Sequence, residues 1–305
     1  MSVTGLQKTE SAPDGSARGR LASARGKLAQ GGTPKVNQPK SRRKRSVASW
    51  LAPILVFAVI IGIWYYISDV VLSTDLQFLL PPPHQIVTQA FLDPDVRQEL
   101  LKALGLTTQV ALTGLACAIV IGVGWGVLMS VATWAERALF PYAVLLQCVP
   151  ILALVPLMGF WFGFGFFSRV VVCVLIALFP MVSNTLFGLQ SVDRGQLELF
   201  KLQKADRLTV LFKLQFPAAL PAIFAGMRIS AGLSVVGAIV ADFSFRQGQA
   251  GIGILISNYT SRLQGPQLFA AIIVAAVLGF VIFWIFGRLR TMVVGRWYDV
   301  SADGN

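Results

Sequence analysis

One histidine, His84, stands in the 305 residues, which leaves His-based catalysis and His-cluster metal binding almost nothing to work with. Cysteine is nearly as scarce. Cys117, Cys148 and Cys173 lie in apolar stretches, their number is odd, and their spacing matches no metal site. Such cysteines behave as small hydrophobes. No G-x-x-x-x-G-K-[ST] occurs, so the chain has no P-loop with which to bind ATP, and no pattern calls for a cofactor. Charge is also short. Asp, Glu, Lys and Arg make up 13% of the chain, against about 25% in a soluble domain. Hydrophobic residues reach 55% and mean hydropathy is +0.68, so the solvent is a bilayer.

The charge that is present gathers at one end. Residues 1–47 hold eleven of the Lys and Arg against Glu10 and Asp14, which accounts for nine of the net twelve positive charges. This stretch is rich in Gly, Ser, Ala and Pro and nearly free of large apolar residues, so a disordered basic cytoplasmic tail is expected there. The cluster Ser41-Arg42-Arg43-Lys44-Arg45 abuts an apolar run and reads as a topological anchor rather than a nucleic-acid arm. A cleavable leader does not fit, because Tyr65-Tyr66 follow the apolar run where small residues are required.

A membrane helix needs roughly 20 apolar residues. Windows free of charge at about 48–68, 103–132, 138–162, 170–192 and 267–287, with a further one at 222–245 that carries Arg228 near its start and Asp242 near its end, predict an all-α membrane protein with six transmembrane helices. With the tail inside, 21 of the 26 Lys and Arg fall on the cytoplasmic side, as the positive-inside rule requires, and both termini are cytoplasmic. The domain is expected to run 48–298, leaving 299–305 as a short cytoplasmic C-terminus. In the first outer loop Pro81-Pro82-Pro83 predicts a stiff extended elbow.

Residues 191–221, between the fourth and fifth windows, are charged and amphipathic. Leu208, Leu211, Phe212 and Phe216 recur at helical spacing, Leu197 and Phe200 form a shorter stripe upstream, and Pro217 and Pro221 are expected to end the pattern. Two short helices joined near Lys204-Ala205-Asp206 result. A basic amphipathic helix can also lie in the headgroups. The spacing, however, resembles the coupling loop of bacterial ABC-importer permeases, E-A-A-x3-G-x9-I-x-L-P. Glu198 stands at the glutamate, Leu214 at the isoleucine and Pro217 at the proline, while Leu199 and Phe200 replace the alanines and Lys204 the glycine. Glycine there would supply a positive φ, which lysine adopts only with strain.

From about residue 50 to 298 the chain resembles a permease subunit of the nitrate/sulfonate/taurine class of these importers. The segments 234–243 and 246–249 resemble the branch that handles riboflavin or thiamine-precursor pyrimidines. The resemblance implies that Leu197, Glu198, Leu199, Phe200, Lys201, Leu202, Gln203, Lys204, Ala205, Asp206, Arg207 and Pro217 couple to separate cytoplasmic ABC ATPase subunits. It also implies an extracytoplasmic solute-binding protein, a second permease copy as homodimer partner, surrounding membrane lipid, and no nucleic acid. The chain would be a transport subunit, not an enzyme.

Other features are weighed on their own. Gly122, Gly124 and Gly126 permit close helix packing, since no strand precedes them to make a phosphate loop. Gly159, Gly163 and Gly165 among Phe160, Trp161, Phe162, Phe164 and Phe166 resemble the family's aromatic outer segment, or equally an interfacial aromatic belt. Ser230, Ser234 and Gly237 suit a helix–helix or pore-facing surface. Asp242 is either a translocation-pathway carboxylate or the partner of Arg246 four residues on. An ion-gradient-driven secondary transporter is the rival class, and Asp242 is its only intramembrane carboxylate.

Overall fold

Lipid offers no hydrogen-bond partners, so a chain this apolar satisfies its spanning backbone by winding into helix. The computed structural model describes residues 48–295, and every regular element among them is helical. The expected tail 1–47 and C-terminus 299–305 lie outside the described residues. The helices are α1 Ala48–Tyr66, α2 Pro83–Ile86, α3 Pro94–Val131, α4 Thr133–Cys148, α5 Ile151–Phe162 and α6 Phe166–Gln190. They continue with α7 Arg194–Leu202, α8 Arg207–Val210, α9 Phe216–Phe245, α10 Ile252–Ser261 and α11 Gly265–Val294. Residues up to Phe57 group apart from the unit that begins at Ala58. Within that first stretch Ile54, Leu55 and Phe57 are exposed.

Five helical stretches are long and apolar enough to cross a membrane, and a sixth crossing exists if the bent pair α4–α5 counts as one. That pair revises the third expected span. In place of one helix over 138–162, two helices meet at 96°. Val149 is extended (φ −69°, ψ 129°) because the following proline disfavours helix at the residue before it, and Pro150 itself has no N–H to donate. Pro141 and Pro156 remain inside α4 and α5. The proline elbow is present, with Pro82 extended (ψ 143°) and Pro83 opening α2, where a missing N–H costs nothing. Trp64 Nε1 donates to Pro81 O at 3.1 Å and Ser68 Oγ to Leu80 O at 2.7 Å, which fastens the elbow to the end of α1.

The centre of the second unit is α6, packed between α3 and α9. Val110, Ala111 and Leu115 of α3, Val170 and Cys173 of α6, Ala231, Val235 and Ala238 of α9, and Leu278 and Ile282 of α11 share one buried cluster. Between helices in lipid the hydrophobic drive is weak, so association depends on close van der Waals fit and small residues. A Cβ on Gly122 would lie 2.7 Å from the Met181 side chain, and one on Gly126 2.7 Å from that of Thr185, whereas Gly124 faces open space. Two of the three glycines therefore serve the α3–α6 seam.

Gly122→Val should overpack that seam by about 1–3 kcal/mol and lower the Tm of the purified protein by several degrees. Gly124→Val should leave it nearly unchanged. Equal shifts for the two variants would show that the seam does not depend on close approach.

Candidate functional site

Two places in the second unit gather charged groups on a built framework, one at each end of α9. At its N-terminal end lies the segment 191–221. Asp193 caps α7, its Oδ1 accepting from Gly195 N at 2.7 Å. After Leu202 the chain turns at Lys204, whose φ is +56°, and α8 starts after the extended residue Asp206. Lysine thus takes the left-handed conformation that glycine takes in the resembled motif, and the bend survives the replacement. The two short helices are where the sequence suggests.

The expected stop at Pro217 is absent. A π-helical turn, Leu211–Gln215, joins α8 to α9, so Arg207–Phe245 runs as one helical stretch of 39 residues. A proline in helix removes one backbone donor and crowds the preceding turn. The wider π turn, closed by Phe216 N donating to Leu211 O, sits directly before Pro217. Pro221 is carried inside α9.

The apolar residues of this segment divide between two directions. Leu197 is half-buried and helps line a groove of about 350 Å³ with Ser130 and Val131 at the end of α3, together with Lys201, Arg207 and Leu208. Phe200 is also half-buried. Leu199 and Leu202, by contrast, are 53% and 82% exposed, beside the exposed Glu198, Lys201, Gln203, Lys204, Asp206 and Arg207. The outward apolar residues of α7 are therefore Leu199 and Leu202, while the Leu197 and Phe200 stripe is half-buried. Helix phase decides this, because α7 lays its 197/200 face toward its own chain. Ala205 is half-buried, and Pro217 lies in the first turn of α9.

At the far end of α9 is Asp242. It does not pair with Arg246: Arg246 caps α9 in the left-handed region (φ +53°), and its guanidinium stands 5.8 Å from the Phe243 ring centroid. Asp242 faces Arg169 of α6 instead, with Oδ1 and Nε 3.0 Å apart and both side chains 2% exposed. A helix that ends at Phe245 turns Arg246 away from the i, i+4 register, which leaves the carboxylate aimed inward. Thr107 of α3 donates its hydroxyl to Asp242 Oδ2 at 3.3 Å and accepts from Ile252 N at 2.9 Å. Arg169 Nη2 donates to Gln247 O at 2.9 Å. The carboxylate is packed so closely that a Cβ on Gly251 would collide with Oδ2.

Ser230 and Gly237 also turn toward α6, and Ser234 is buried between them with its hydroxyl bonded within α9. Ser230 Oγ donates to Ala177 O at 2.7 Å, Ser234 Oγ to Ala231 O at 2.9 Å, and a Cβ on Gly237 would lie 2.9 Å from Cys173 Cα. All four expected pathway positions are fully buried in this chain, so this face is a helix–helix seam rather than an open channel wall. Sequence reasoning missed Arg169, Thr107 and Gln247. One signal was present: Arg169 opens an apolar span, and Asp242 is the lone acid available inside the later spans.

A multi-pass bundle with an amphipathic hairpin leading straight into a spanning helix defines a helical integral-membrane protein. The profile of the family described as "Binding-protein-dependent transport system inner membrane component" matches residues 118–293, and the chain belongs to that family. It is 32% identical over 252 residues to the formylaminopyrimidine transport permease protein ThiX of Halalkalibacterium halodurans, covering 82% of this chain and 97% of ThiX. It is 33% identical to the putative aliphatic sulfonates transport permease protein SsuC of Bacillus subtilis, covering 82% of this chain and 90% of SsuC. Among solved structures, a chain of the MetNI methionine ABC transporter in inward-facing conformations shares the fold, with a TM-score of 0.59 at 16% identity over 66% of this chain and 99% of that one. The protein is a multi-pass inner-membrane permease subunit of a binding-protein-dependent ABC importer, a system that works with an ATPase and a solute-binding protein.

Lys204→Gly should keep the bend and change Tm little, since relief of an αL cost of about 1 kcal/mol is offset by the added chain entropy of glycine. Lys204→Pro fixes φ near −65° and should abolish co-purification of the ATPase. Normal ATPase retention by Lys204→Pro would show that the left-handed bend is dispensable.

Proposed function

We propose that residues 197–207, with Pro217 behind them, form the surface through which this permease engages its ATPase on the cytoplasmic side. The observation that carries the reading is the exposure of Leu199 and Leu202 on a short charged helix. Apolar side chains this exposed, ringed by Glu198, Lys201, Lys204 and Arg207, have the composition of an interface core and its polar rim. The helical continuity from α8 through α9 gives any force on this surface a direct path into the membrane.

The same reading puts both termini and segment 191–221 in the cytoplasm, following the distribution of Lys and Arg. The basic tail 1–47 and residues 299–305 lie there too, flanking a permease domain over 48–298. Two copies of the chain, embedded in lipid, form the pathway, and a partner subunit hydrolyses ATP. The solute is a small organic molecule or oxyanion, by likeness to a formylaminopyrimidine permease and a sulfonate permease. Asp242 serves transport through its position and not through contact with the solute, since it is enclosed by Arg169 and Thr107. That enclosure also argues against a secondary transporter, which needs a carboxylate free to take up its coupling ion.

Leu202→Asp adds a charge where the side chain touches little of its own chain, so the permease should insert and fold normally. Retention of the ATPase in detergent should fall at least tenfold and uptake with it. Full retention and normal uptake would sink the coupling assignment. Topology is tested separately in intact cells of a Cys148→Ser background. Cysteine at Ser191 should resist a membrane-impermeant maleimide and cysteine at Asp95 should react; labelling of Ser191→Cys from outside would reverse the orientation.

A further inference from the structure

The buried pair at the end of α9 does more than join two helices. Arg169 belongs to α6, Asp242 to α9 and Thr107 to α3, so three of the central helices meet at one point. Two of these side chains also reach the segment between α9 and α10. Arg169 Nη2 holds the carbonyl of Gln247, and the Thr107 hydroxyl holds the N–H of Ile252. Residues 246–250 between these anchor points are exposed. Gly248 (φ +82°) lies close to the backbone of Phe164, and Gly251 and Gly253 admit no Cβ beside Asp242 and Ile239. Farther along α10, Tyr259 donates its hydroxyl to Glu99 Oε2 of α3 at 2.7 Å. Burial and the Glu99 carboxylate both raise the Tyr259 pKa, which keeps the phenol protonated as that donor.

We infer that the Arg169–Asp242 pair, with Thr107, is a latch that makes the 246–252 segment move as one body with α9. Arg169, Asp242 and Thr107 are positioning residues: they carry a displacement that starts at the α7–α8 hairpin to the opposite mouth of the pathway. The inference rests on the coupling reading of α7 and α8. Two features favour a latch over plain structural glue. A buried ion pair adds little net stability over a well-packed apolar substitute, and its strength lies in specifying one arrangement. Its partners, moreover, bracket the exposed residues 248–250: the carbonyl of exposed Gln247, which water would satisfy if the segment swung free, and the N–H of buried Ile252 at the start of α10. Interactions satisfied in only one arrangement give a two-state element of the kind that carries coupling between distant sites.

The test uses the complete importer, purified with its own ATPase in proteoliposomes, with Cys148→Ser removing the exposed cysteine and Gln249→Cys reporting on the segment. Labelling by a membrane-impermeant maleimide is timed without nucleotide and after trapping with MgATP and orthovanadate. With the latch intact the two rates should differ at least threefold. Thr107→Val keeps the side-chain volume and removes the hydroxyl, and Arg169→Lys keeps the charge but loses the fork to Gln247. Both should bring the two rates to within about 1.3-fold while trapping as much nucleotide as the parent, and Thr107→Ser should restore the difference. An undiminished difference in both variants, or no difference in the parent, overturns the latch. Failure of both variants to assemble would make the pair a folding element and overturn it as well. The coupling reading fails by another route, through full ATPase retention by Leu202→Asp, so the two failures are distinguishable.

Discussion

An arginine and an aspartate, each 2% exposed and 3.0 Å apart, form the ion pair on which the meeting of three central helices turns. Removing either charge from water and leaving it alone in a membrane protein costs several kcal/mol, so neither residue tolerates the other's absence. The start of α6 and the end of α9 must therefore arrive at the same depth and face one another. Once they do, Thr107 fixes α3 to the same point, and with Arg169 it holds Gln247 O and Ile252 N after α9. The small residues along the seams are the geometric condition for this meeting. Gly237 lets α9 come against Cys173, and Gly114, Gly122 and Gly126 let α3 come against α6.

The other end of α9 obeys a different constraint. Pro217 would normally end or kink a helix, yet a π turn before it keeps the chain helical from Arg207 to Phe245. Helix α8, the second helix of the hairpin, is thereby the first part of a spanning helix. Proline supplies the local weakness and the π turn absorbs it. The same stretch explains why Lys204 can stand where glycine is usual, since the bend needs one left-handed residue at a modest cost and the exposed lysine pays no packing penalty.

Composition and hydropathy make the helical class legible at once, because a bilayer allows a chain like this few alternatives to bundled helices. The hairpin of two short helices was equally legible, since its pattern is local: the apolar stripes and the bend at Lys204 stand at fixed spacing along one stretch of sequence. The third span was half legible. Three prolines announced distortion, and nothing in their spacing said that Pro150 alone would turn the chain through 96° while Pro141 and Pro156 stayed helical.

Sequence by itself determined where the apolar windows lie, which side of each carries the cations, and that some residue near 204 must bend the chain. Each of these follows from local spacing or from counting charge, and each has the bilayer as its external reference. Only the tertiary structure decided which partner Asp242 takes. Arg246, four residues away, was the natural choice on a helix, but the helix ends at Phe245 and turns it outward, while Arg169 approaches from another helix altogether. It likewise decided that Leu199 and Leu202 face away from the chain and that Ser230 and Gly237 face α6. Those choices belong to the rotation of one helix against its neighbours, a quantity set by the fit of the whole bundle and written in no single stretch of residues.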